Sequence, residues 1–150
     1  MNGYNNLIGM LSSLLEGESD MITVMANTSA FIFSSVDRLN WAGFYRVKDG
    51  ELILGPFQGK VACMHIPFNR GVCGACYTSG KTVVVEDVHK FPGHIACDCD
   101  SLSEIVVPVR SKNGDIVALL DIDSPVLSRF TEEERIFFEK AVSLVEDLIA

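Results

Sequence analysis

The sequence predicts an α+β fold in a single domain spanning residues 1–150, an antiparallel sheet with the N- and C-terminal helices on one of its faces. Three observations predict it. Apolar residues recur at helical spacing near both ends of the chain. Between them, short β-branched or aromatic runs are separated by Gly-containing turns that suit hairpins. Hydrophobic residues make up 48% and charged residues 21% of the 150, enough apolar surface to bury a core without a disulfide scaffold.

Residues 4–16 place Leu7, Ile8, Leu11, Leu14 and Leu15 on one helical face. Asp20 offers an N-cap for a second helix, whose apolar face is expected to hold Ile22, Met25, Ala26, Ala30, Phe31 and Phe33. The aromatic run NWAGFYRV (40–47) reads as a strand, and Lys48-Asp49-Gly50 turns it into its partner, ELILGPF (51–57). A glycine-rich stretch follows, with a short helix expected around GVCGACYTSG (71–80). KTVVVE (81–86) is the next strand, and residues 87–103 read as irregular. EIVVPVR (104–110) and DIVALLDID (115–123) are two more strands, joined at Lys112-Asn113-Gly114. Thr131 and Glu134 have capping-box spacing and open a last helix, buried along Phe137, Ala141, Leu144, Val145 and Leu148.

Twelve Lys and Arg against twenty Asp and Glu give a net charge of −8. Binding to nucleic acid or to an anionic membrane is not expected, because both need a basic face that displaces counterions. No basic segment precedes the first apolar residues, so no signal peptide is expected. No apolar run approaches the roughly 20 residues that span a bilayer. The five cysteines, at 63, 73, 76, 97 and 99, are odd in number and too few for a disulfide framework. The expectation is a reduced, cytoplasmic protein whose clustered thiols either do redox chemistry or bind metal. A homodimer is compatible with the sequence.

Cys73-Gly-Ala-Cys76 stands at the start of the short helix, where the dipole is expected to lower a thiol pKa. His94, Cys97 and Cys99, with His65 or His89, could add metal ligands. A zinc ribbon needs a second CxxC, however, and Cys97-Asp-Cys99 has another spacing, so no metal is expected. Five thiols in one loop-rich window exceed what inert packing requires, which favours redox chemistry. GPFQGK (55–60) is one residue short of a phosphate loop and has Val61 where Ser or Thr belongs.

Strand alternation puts Trp41, Gly43 and Tyr45 on one face and Ala42 and Phe44 on the other. A glycine between two aromatics can wall a pocket. Asp121 and Asp123 share a face at the end of an apolar strand, and Glu104 opens its neighbour. Two readings stay open for these carboxylates. They either cap strands at a solvent edge, or sit close enough to hold a cation or share a proton.

The motifs NWAGFY, GPFQGKVAC, GVCGAC, VEDVHKFPGHIACD, SEIVVPV and LLDIDS occur in that order between Asn40 and Ser124. In this the chain resembles the free methionine-(R)-sulfoxide reductases, small GAF-domain enzymes that reduce the free amino acid rather than protein residues. Cys63, Cys73 and Cys97 meet the family's three-cysteine spacing, while Cys76 and Cys99 are extra thiols that leave the disulfide pattern open. The resemblance implies a GAF-like fold with a ligand pocket under loops, on the sheet face opposite the terminal helices. It makes Cys97 the nucleophile that attacks the sulfoxide sulfur and becomes a sulfenic acid. Cys63 would resolve that acid as a disulfide, with Cys73 as the alternative, and thioredoxin would reduce it with no bound cofactor. Glu104, Asp121 and Asp123 would hold the substrate and assist protonation of its oxygen, and Trp41 and Tyr45 would enclose the S-methyl end. The helix start at Gly71–Gly74 is a further expected site, for the α-carboxylate.

Two non-catalytic readings compete. GAF-like domains also serve as small-molecule sensors, and clustered thiols serve as redox sensors. The first usually belongs to a longer protein, and the second leaves Trp41, Glu104, Asp121 and Asp123 without a role.

Overall fold

The computed structural model describes residues 2–94 and 100–149. Two helices open the chain, α1 (Asn2–Leu15) and α2 (Met21–Ser35). The Asp20 carboxylate accepts from the Thr23 N–H at 3.0 Å, so the expected N-cap forms. The strands β1 (Trp41–Lys48) and β2 (Glu51–Gly59) pair across a turn whose Asp49 and Gly50 take φ of 55° and 79°. Positive φ at both central positions matches the right-handed twist of the flanking strands.

A two-residue strand, β3 (His65–Ile66), lies beyond the expected elements and precedes α3 (Gly71–Ser79). The strands β4 (Val83–Val85), β5 (Ser103–Arg110) and β6 (Ile116–Ser124) follow, and α4 (Glu132–Ile149) ends the described chain. Among the described residues, all strand pairs are antiparallel, in one sheet ordered β3-β2-β1-β6-β5-β4. β1, β6 and β5 are therefore central, and β3 and β4 are the edges.

The two sheet faces do different work. Ala42 and Phe44 from β1, Ile105 and Val107 from β5, and Leu120 and Ile122 from β6 pack on α1, α2 and α4. This is the main core, and the terminal helices cover that face as expected. Trp41, Tyr45, Val106 and Leu119 point the other way, toward α3 and the loops around it. Strand alternation alone separates the two sets.

The buried face of α2 differs from the expectation. Val24, Met25, Thr28, Ser29 and Ile32 are buried, whereas Ile22 is exposed and Phe31 and Phe33 only pack at the margin. Close approach to the sheet explains the rotation. The Ser29 hydroxyl donates to the Met25 carbonyl at 2.7 Å and lies 3.2 Å from the Pro56 carbonyl. A hydroxyl satisfied in this way can be buried where a phenyl ring would not fit.

At α4, Glu134 accepts from the Thr131 N–H at 2.8 Å and from its hydroxyl at 2.5 Å. Glu134 also accepts from the Tyr4 hydroxyl at 2.6 Å and lies 3.3 Å from the Arg129 guanidinium. Burial opposes ionisation of Glu134, but these partners outweigh it and hold its carboxyl at about 2. The expected capping pair thus also ties α1 to α4.

Candidate active site

The register of the sheet assembles the site. Trp41 on β1 pairs with Asp123 on β6, and Asp123 pairs in turn with Glu104 on β5. One row over, Gly43 pairs with Asp121, which pairs with Val106. Directly opposed residues share a face, so Trp41, Asp121, Asp123 and Glu104 all project away from the helices. They line one cavity together with Tyr45, Cys73, Arg70, His94 and Ser101.

Burial decides between the two readings of the carboxylates. Glu104 is 8% exposed and Asp121 5% exposed, so neither is a cap at a solvent edge. Glu104 is pushed well above the ordinary carboxylate range, first by burial and then by the charges of Asp121 and Asp123. Burial also raises Asp121, but hydrogen bonds from Glu104, Cys73 and Asp123 pull it back. Both carboxyls are therefore held above the ordinary range, which favours a proton shared within this group. Asp121 lines the cavity, and its Oδ1 is buried with no hydrogen-bond partner.

Cys73 occupies the third position of α3, and its thiol donates to Asp121 Oδ2 at 3.5 Å. The expected lowering of a thiol pKa is not found here. Burial, followed by the charges of Asp121, Glu104 and Asp123, pushes the Cys73 thiol well up. Cys76 is fully buried one turn later and is pushed up to about 12, again chiefly by burial. The dipole of a nine-residue helix is worth at most about 2 kcal/mol, less than the desolvation of a thiolate beside carboxylates. Both cysteines are free thiols.

Cys63 is bonded in a disulfide, and Cys97 and Cys99 lie outside the described residues. Two aromatics of β1 hold the Cys63 loop against the sheet. Trp41 Nε1 donates to the Lys60 carbonyl at 3.1 Å, and the Tyr45 hydroxyl donates to the Cys63 carbonyl at 2.8 Å. Trp41 stacks between Tyr45 and Phe57, with ring centroids 5.9 Å and 5.1 Å away. A Cβ on Gly43 would lie 2.3 Å from Phe57 Cβ and 2.9 Å from the Trp41 ring. Glycine is required there for the aromatic wall to close.

Arg70 and Ser101 were not visible as site residues in the sequence. Arg70 is the N-cap position of α3 and makes no capping bond with its side chain. A basic residue just before a glycine-rich helix start is the signal that could have marked it. Ser101 accepts from Asn40 Nδ2 at 3.0 Å, which links the start of β1 to the segment before β5. Lys60 and Asp100 form a 2.7 Å ion pair between the same regions.

The cavity therefore has an acidic wall on β5 and β6 and a second wall bearing Arg70, His94 and the N-terminus of α3. Burial and the nearby His89 lower the pKa of His94, which favours its neutral form. Ligand atoms of Cys73, Glu104 and Asp121 all lie within 4.8 Å of one another, a spacing that would also suit a metal ion. His65 and His89, considered as ligands from sequence, pair instead with Glu51 and Asp87 at 3.2 Å and 3.5 Å. A cavity lined by carboxyls, by the Arg70 guanidinium and by a helix N-terminus suits a small zwitterion that carries an ammonium and a carboxylate group.

A family model described as GAF domain matches residues 24–150. The free methionine-R-sulfoxide reductase of Escherichia coli is 46% identical over 147 residues, covering 98% of this chain and 88% of that protein. The structure of fRMsr of Staphylococcus aureus in its reduced form aligns with TM-score 0.95 at 46% identity, covering 98% and 95% of the two chains. The free methionine-R-sulfoxide reductase of Neisseria meningitidis in complex with its substrate aligns with TM-score 0.92 at 40% identity, covering 96% and 86%. No helix among the described residues is long and apolar enough to cross a membrane.

Proposed function

The chain belongs to the GAF-domain free methionine-R-sulfoxide reductases, and from that premise we propose how its own residues reduce free L-methionine-(R)-sulfoxide. The observation that carries the reading is the pair of buried carboxyls, Glu104 and Asp121, which line one cavity with Trp41, Tyr45 and the half-buried Asp123. The α-ammonium of the substrate lies against Asp121 and Asp123, and its α-carboxylate faces the N-terminal amides of α3. Trp41 and Tyr45 enclose the S-methyl group.

The Cys97 thiolate attacks the sulfoxide sulfur while Glu104 donates its proton to the oxygen. Sulfoxide oxygen is a poor leaving group until it is protonated, and a carboxyl whose neutral form is favoured by burial can supply that proton. The hydroxyl oxygen passes from the substrate sulfur to the Cys97 sulfur as the bond between the two sulfurs breaks. Methionine thus departs with the sulfur electron pair, and Cys97 is left oxidised to a sulfenic acid. The Cys63 thiol then condenses with it, releasing water and forming a Cys63–Cys97 disulfide. The disulfide state of Cys63 and the free, high-pKa thiols of Cys73 and Cys76 support this choice of resolving residue. Cys73 remains the alternative, one helix turn inside the cavity.

Thioredoxin returns the disulfide to two thiols by exchange. Electrons pass through sulfur alone, so the cycle needs no bound cofactor. We place the enzyme in the cytoplasm, where that donor is kept reduced, with residues 1–150 acting as one domain, alone or as a homodimer.

Cys63→Ser tests the order of these steps. The first half-reaction needs only Cys97, so one equivalent of methionine per enzyme is expected in a single turnover. Thioredoxin-dependent turnover should fall at least tenfold, a loss of about 1.4 kcal/mol or more, and a dimedone-type reagent should label Cys97. Full turnover without a trappable sulfenic acid would reassign the resolving thiol to Cys73, Cys76 or Cys99.

A further inference from the structure

We propose that Val61 and Met64, on either side of Cys63, form the docking lip for the protein dithiol that reduces the enzyme, with the β3 edge extending it. This deepens the recycling step proposed above and rests on it. Val61 is 87% exposed and Met64 69%, more than any other large apolar side chain among the described residues. They flank the one described cysteine held in a disulfide. Leaving both in water forgoes the gain of burying an apolar side chain, and polar residues would serve a plain surface loop better. Their place on either side of the disulfide-bonded Cys63 sets them where a protein that attacks that sulfur must make contact.

The loop is held in place rather than free to fold its apolar residues inward. Trp41 fixes the Lys60 carbonyl and Tyr45 the Cys63 carbonyl, at 3.1 Å and 2.8 Å. The Met64 carbonyl accepts from the Leu54 N–H on β2 at 2.9 Å. Val61 and Met64 are thus presented outward on a fixed backbone, which reduces the ordering cost of docking. The chain then enters β3, the terminal strand of the sheet, whose outer edge has no strand neighbour among the described residues. An edge of this kind can take backbone hydrogen bonds from an extended segment of a partner.

A small-molecule thiol needs no such surface, whereas a protein donor must press its surface against whatever flanks the target sulfur. The occupant is therefore a thioredoxin-type dithiol protein with an apolar rim around its nucleophilic thiol. Its thiolate attacks Cys63 Sγ, the intermolecular S–S bond forms as the enzyme disulfide breaks, and the electron pair leaves on the Cys97 sulfur. The second donor thiolate then attacks the mixed disulfide and releases Cys63 as a thiolate. The donor departs as a disulfide, two electrons poorer.

The test is the double variant Val61→Ser with Met64→Ser, assayed with thioredoxin and separately with dithiothreitol. KM for thioredoxin is expected to rise about tenfold, as for loss of a small apolar contact surface, while dithiothreitol-driven turnover and single-turnover methionine formation stay unchanged. A thioredoxin lacking its second thiol should be trapped on Cys63 by the wild type and captured less by the variant. An unchanged KM for thioredoxin would overturn the docking surface alone, as would a parallel loss with dithiothreitol. Wild-type turnover with dithiothreitol but none with thioredoxin would overturn the donor assignment and the surface with it.

Discussion

Cys97→Ser is expected to lower kcat/KM for free methionine-(R)-sulfoxide by about 10⁴-fold or more, because a hydroxyl cannot act as the attacking anion at neutral pH. No other thiol should compensate. Cys73 is pushed well up by burial and three carboxylates, Cys76 is pushed up to about 12, and Cys63 has only the resolving role in the proposed cycle. An oxygen-for-sulfur exchange leaves little cavity, so thermal unfolding should move only slightly. Methionine formed per enzyme in a single turnover, measured chromatographically, separates these outcomes. More than a few per cent of wild-type product would move the nucleophile to another cysteine.

The second large effect is expected at Glu104. Glu104→Gln preserves shape and hydrogen bonding but removes the transferable proton, which should lower kcat by about 10²–10⁴-fold. The pH profile carries the sharper signature. In the proposed mechanism the active form of Glu104 is the protonated one, and burial holds its pKa well above 4.5, so wild-type kcat should fall as pH rises through that raised value. The Gln variant should lose this alkaline limb. Stability gives an independent readout. A carboxyl raised on folding contributes most below its unfolded value near 4.5, and its contribution declines as pH rises toward the folded value. The amide has no such decline, so the variant should gain on the wild type in thermal stability as pH rises through the raised value. Lost activity with retained stability would exclude misfolding as the cause.

Much of this site was legible before the fold was known, and the rest was hidden for physical reasons. Alternation along β1 and β6 is a local signal, so the faces of Trp41, Tyr45, Asp121 and Asp123 could be read from the chain. Whether those carboxylates met solvent depended on register and strand order, which are set by long-range pairing. Asp123 sits between Trp41 and Glu104 only because β6 lies between β1 and β5. The α2 face was misread because apolarity points to Phe31 and Phe33, while the sheet accepts Thr28 and Ser29 at close range. β3 is too short for periodicity to reveal it. The Cys73 expectation failed because it weighed the helix dipole without the desolvation and the Asp121 carboxylate that the fold supplies.

The most direct measurement is thioredoxin-coupled NADPH oxidation on four substrates: the separate R and S forms of free methionine sulfoxide, the N-acetylated R form, and a sulfoxide-bearing peptide. Turnover is expected for the free R form alone. Acetylation removes the ammonium and leaves desolvated carboxylates without their partner, a loss of roughly 3–5 kcal/mol for a buried charge pair. At about 1.4 kcal/mol per tenfold, kcat/KM should fall on the order of a hundredfold or more. Comparable kcat/KM for free and acetylated substrates would show that Asp121 and Asp123 do not read the amine. Turnover of neither free form would contradict the central claim that this cavity reduces free methionine-(R)-sulfoxide.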